Sequence, residues 1–114
     1  MGYDVHIKRP DKDPKTSDGE WAAYVASDTS MQLIGSVETK TPDGHTVRYE
    51  NEGLAVWAGH SRKPWFDFRR GRVVVKNPDI EILKKMWLVA QALNAKVQGD
   101  DGETYAADGS VEHK

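Results

Sequence analysis

The stretch VVVKNPDIEILKKMWLVAQALNAKVQGDDGETY, residues 73–105, decides the fold. It reads as a strand, a capped helix and a closing hairpin. Val73, Val74 and Val75 are β-branched and suit a pleated, half-buried surface. Asn77 is read as the helix N-cap and Pro78 as the first helical position, with Asp79 and Glu81 at the positive end of the dipole. Ile82, Leu83, Met86, Val89, Ala90 and Leu93 recur at helical spacing and form one broad apolar face. Glu81, Lys84, Lys85 and Gln91 lie opposite; Leu88 falls among them, and Trp87 stands at the border. Beyond Asn94, residues 96–98 read as a strand, Asp100-Asp101-Gly102 as its turn and residues 103–106 as the return.

Upstream, Tyr3, Val5 and Ile7 alternate with Asp4, His6 and Lys8, the period of a half-buried strand. Ser17 and Glu20 have capping-box spacing, which predicts a short helix to Ala26 burying Trp21, Tyr24 and Val25. Strands are then expected over 31–40, 45–50, 54–58, 65–68 and 72–75, with Trp57 in the core. Short turns join them, Thr41-Pro42-Asp43-Gly44 the clearest, so they are expected to form an antiparallel meander. The fold class is therefore α+β: a single domain over residues 1–107, with an antiparallel sheet of about six to eight strands and two helices packed on one face. Residues 108–114 carry no packing signal and read as a mobile tail.

At 114 residues, 38% apolar and 30% charged, the chain has the profile of one soluble globular domain. A net charge of −2 argues against a general nucleic-acid binder. The absence of cysteine removes disulfides, thiolate metal sites and a cysteine nucleophile. The first residues lack the apolar core of a signal peptide, and His6 stands where a myristoylation motif starting at Gly2 needs Ser or Thr. No apolar run approaches the roughly 20 residues of a bilayer span. A cytoplasmic protein with no membrane partner is expected.

Candidate chemistry is sparse. No two of His6, His45, His60 and His113 have helical ligand spacing, so no metal site is read, nor any cofactor. His60, Ser61 and Asp67 are close in sequence but lack the glycine-flanked elbow that aims a catalytic serine. Glu50, Glu52, Asp100 and Asp101 are turn residues. The chain is read as no enzyme.

Charge is distributed more tellingly. Between residues 60 and 76, Arg62, Lys63, Arg69, Arg70, Arg72 and Lys76 face one carboxylate, Asp67. Strand alternation puts Phe66 and Phe68 on the core side, and Trp65, Asp67 and Arg69 on the other. His60, Arg62, Arg69 and Arg72 thus form a candidate patch for a small molecule or nucleotide, as a binding domain or as a small enzyme's site. Residues 98–112 hold Asp100, Asp101, Glu103, Asp108 and Glu112 with no basic residue. An exposed tip of Asp100, Asp101 and Glu103, with Leu88, Trp87 and Trp65 as apolar anchors, is the candidate surface for a protein partner. Opposite patches also admit a homodimer.

Four segments together carry a family likeness: YDVHI (3–7), EGLAVW (52–57), WFDFRRGRVVVKNPD (65–79) and KVQGDDGETY (96–105). They resemble a family of small, uncharacterised bacterial proteins associated with immunity proteins of polymorphic or secreted toxin systems. The likeness covers most of residues 3–105, and this chain is shorter than the family between Ala58 and Trp65. It implies a cytoplasmic binding protein without enzyme activity; with two opposite charge patches and no catalytic constellation, the leading expectation is an immunity-type inhibitor that occludes a toxin's active site. No catalytic residue comes with it, since the shared motifs are caps and turns.

Overall fold

In chain order the elements are β1 (Asp4–Lys8), α1 (Asp18–Ser27), β2 (Met31–Leu33), β3 (Ser36–Lys40), β4 (Thr46–Glu50) and β5 (Leu54–Trp57). Then come β6 (Trp65–Arg69), β7 (Arg72–Lys76), α2 (Ile80–Ala92), β8 (Lys96–Gly99), β9 (Thr104–Tyr105) and β10 (Val111–His113). These come from a computed structural model that describes residues 3–113, apart from the side chain of His113. The reading of Gly2 as a lipidation position lies outside the described residues, as does the end of the tail at Lys114.

Eight strands make one antiparallel sheet in the order β10-β9-β8-β1-β7-β6-β5-β2, and β3 with β4 make a separate two-stranded ribbon. The chain is the expected α+β domain. β1 lies between β7 and β8, antiparallel to both, so β7 and β8 run parallel to each other. Parallel strands need a crossover, and α2 supplies it. Val5, Ile7, Phe66, Phe68, Val73, Val75 and Val97 turn to one side of the sheet and share a core with Trp21 and Val25 of α1 and the apolar stripe of α2. Both helices therefore cover the same face. α1 carries the Ser17–Glu20 capping box foreseen from the sequence.

Four details differ from the sequence reading. The N-cap of α2 is Asp79, whose carboxylate accepts from the Ile82 N–H at 2.9 Å. Asn77 instead sits at φ 49° and joins β1, donating its N–H to the Tyr3 carbonyl and accepting the Tyr3 N–H, each at 2.8 Å. Residues 31–40 are two strands, because the chain turns at Gly35, φ 72°, after β2. The meander is broken there: β2 returns to pair with β5, and the β3–β4 ribbon leaves the sheet. Finally, the segment read as a tail from residue 108 contains β10, which pairs with β9.

Candidate functional site

With both helices on one side, the other face of the sheet carries no helix among the described residues, and the ribbon lies over one end of it. Cross-strand register sorts the outward side chains into rows. In the middle row Gln98, His6, Val74, Asp67 and Leu54 stand side by side across β8, β1, β7, β6 and β5. Leu54 is fully buried yet outside the main core, since it points to the ribbon side. Tyr49 and Asn51, from the ribbon and its exit, donate to the two carboxylate oxygens of Asp67 at 2.6 and 2.5 Å. These bonds tether the ribbon over Leu54.

The next row is basic throughout. Lys96 pairs with Lys8 across β8–β1, and Arg72 with Arg69 across β7–β6. The register that pairs Ile7 with Val73 sets Lys8 beside Arg72. Four cations thus cross four adjacent strands in a line. Asp11, at 3.6 Å from Lys8, is an exposed neighbour whose screened pairing offsets little of that charge.

Between the sheet face and the ribbon lies a cleft of about 650 Å³. Trp65, Asp67, Arg69, Val74 and Lys76 line its sheet side, Val37, Thr39 and Tyr49 its ribbon side, and Arg62, Lys63 and Pro64 close one end. Trp65 is 40% exposed, and the Arg69 guanidinium lies 6.0 Å from the centre of the Tyr49 ring. Arg62 is steadied by a 3.0 Å bond to the Asn77 carbonyl. This cleft brings together Trp65, Arg62 and Arg69 from the sequence candidates.

Two of the other basic candidates stand elsewhere. Arg72 belongs to the basic row. His60 faces α2: its Nδ1 accepts from the Arg62 N–H at 3.0 Å, so Nε2 carries the proton and meets the Asp79 carboxylate at 2.8 Å. The bond from the Ile82 N–H, and after it this pairing, hold the Asp79 carboxyl below its usual range. The role of His60 is to fix the helix start and the loop holding Arg62.

The acidic turn is not the free tip expected from its composition. Glu103 is buried, with the Tyr3 and Tyr105 hydroxyls donating to its carboxylate. Burial would raise its pKa, but those bonds more than reverse that and hold the carboxyl below its ordinary value. Asp100 is turned back onto β1, accepting the Asp4 N–H at 3.1 Å and meeting His6 Nε2 at 3.0 Å. His6, read as a solvated strand residue, is thereby part of this cluster. Asp101 remains exposed. Trp87 is half-buried against the core, whereas Leu88 is 58% exposed as its place on the polar face implied. Trp57, expected in the core, lies half-buried at its edge, 5.6 Å from Lys85.

Comparison with family models, curated proteins and solved structures yields no match. Function must be argued from the surface itself. Among the described residues no group of three or more His, Asp or Glu side chains is placed to hold a metal ion. No helix among them is long and apolar enough to cross a membrane. The basic row was missed from sequence because Lys8, Arg69, Arg72 and Lys96 come from four separated segments. Only the placement of β1 between β7 and β8 aligns them.

Proposed function

We propose that the chain is a non-catalytic protein-binding module, of the immunity-inhibitor kind, that holds an acidic surface of its partner against the outer face of its sheet. The observation that carries this reading is the row Lys96–Lys8–Arg72–Arg69 on the face the helices leave bare. Isolated surface charges contribute little, but an aligned set steers encounter and selects against partners of like charge. A discrete acidic patch on a protein fits better than a polynucleotide, because the whole chain carries −2 and would not attract a long polyanion. The inhibitor class is suggested by the family likeness of the four segments quoted above. Burial of Glu103 leaves the acidic turn less charge to offer a partner, which favours the basic face.

The test is to co-purify the chain with the product of its neighbouring gene at low salt and footprint the lysines by acetylation. Lys8 and Lys96 should be protected in the complex, while Lys84 on α2 and Lys12 stay reactive. Protection of Lys84 with Lys8 and Lys96 still reactive would move the interface to the helical face and overturn the proposal.

A second reading, a small-molecule site at the basic and aromatic segment, is favoured by one observation: the cleft lies on Arg62, Trp65 and Arg69.

A further inference from the structure

We infer that the cleft between β6–β7 and the ribbon binds a free nucleoside diphosphate, or a small molecule of the same chemistry: a flat ring joined to a multiply charged phosphate group. Its size falls in the range of small-molecule sites, about 300–1,000 Å³. Its centre is apolar and aromatic, with Val74 on the sheet side, Val37 on the ribbon side and the exposed ring of Trp65 beside them. A flat ring stacks on such a surface whatever its hydrogen-bonding edge.

The charge is arranged for the other half of the ligand. Arg62, Lys63 and Lys76 stand with Trp65 among the lining residues, and Arg69 lies beside Tyr49. Four cations meet one carboxylate, Asp67, and both its oxygens already accept bonds from Tyr49 and Asn51. An excess of positive charge is left for a ligand's phosphates. Arg62 keeps further guanidinium donors beyond the one held by Asn77, so it can grip a phosphate oxygen without leaving its seat. The inference rests on the second reading, the small-molecule site, and not on the docking row, with which the cleft shares only Arg69, so each can fail without the other.

Isothermal titration of the full chain with ADP, GDP and UDP, against adenosine, guanosine, uridine and pyrophosphate separately, tests the inference. At least one diphosphate should bind at least about tenfold more tightly than either of its halves. Lys76→Glu and Trp65→Ala should each weaken that binding by about tenfold or more, while melting temperatures stay near wild type. Lys8→Glu, in the docking row, should leave it unchanged. Arg62→Ala serves as the second cation variant if Lys76→Glu does not fold. No heat or shift with any diphosphate at about 1 mM would overturn the inference. So would affinity for pyrophosphate equal to that for the nucleotide, or a single-stranded oligonucleotide binding more tightly than the monomers.

Discussion

At the residue scale, short polar side chains decide which surfaces stay open to a partner. Glu103 is a buried carboxylate held by two tyrosine hydroxyls, and a Cβ at Gly99 would collide with it, so that strand end needs glycine to make room. Glu103→Gln should cost about 1–3 kcal/mol at pH 7 in urea unfolding, since the charge-assisted bonds weaken while the group stays buried. Glu103, Asp100 and Asp28 all have carboxyls depressed in the fold. For Asp28, burial pushes upward, but bonds from Lys85, Ser30 and Tyr24 outweigh it. A depressed carboxyl contributes stability above its unfolded pKa and loses it as pH falls through the folded value. Tyr3 is raised by its bond to Glu103, and Tyr105 by burial and then by its bond to Glu103, so their contribution holds below their unfolded pKa and is lost as pH rises through the folded one. Chemical denaturation across pH should therefore show a plateau, falling below about pH 4 and again above about pH 10. The Glu103→Gln deficit should shrink on the acid side. None of this was legible in residues 98–105. Acidity and a turn motif predict solvent, and the two tyrosines that remove Glu103 from it come from β9 and from the start of the chain.

At the scale of elements, α2 and the ribbon are opposite cases. The stripe Ile82–Met86–Val89–Ala90 was readable because its period is local, and the structure buries all four. Its cap was misplaced by two residues because Asn77 and Asp79 both suit an N-cap, and the difference lies in a distant bond to Tyr3. The ribbon's hairpin was legible in Thr41-Pro42-Asp43-Gly44, but its departure from the sheet was not. Residues 31–40 alternate like one strand, and Gly35 gives only a weak hint that the chain leaves the sheet. Its cover over the sheet can be tested at Leu54, on the face opposite the main core. Leu54→Ala should cost about 2–5 kcal/mol, as large as a loss from the core itself. A loss below about 0.5 kcal/mol would mean that the ribbon does not seal that residue.

At the scale of the molecule, the two faces of the sheet differ in chemistry. One carries both helices and holds the chain together; the other presents cations aligned by strand order. The fold class was legible because periodicity and turn chemistry agree along most of the chain. The basic row was not, because register, which no local pattern encodes, makes neighbours of Lys8, Arg72, Arg69 and Lys96. Most of these charges are screened at high salt, so the partner complex should weaken steeply between low and physiological ionic strength. The most direct measurement is the affinity of the neighbouring gene's product for three proteins: wild type, Lys8→Glu/Arg72→Glu and Asp100→Lys/Asp101→Lys. The basic-face variant should lose at least about tenfold, while the acidic-turn variant keeps its affinity within about threefold. No complex with wild type, or a loss confined to the acidic-turn variant, would contradict the account.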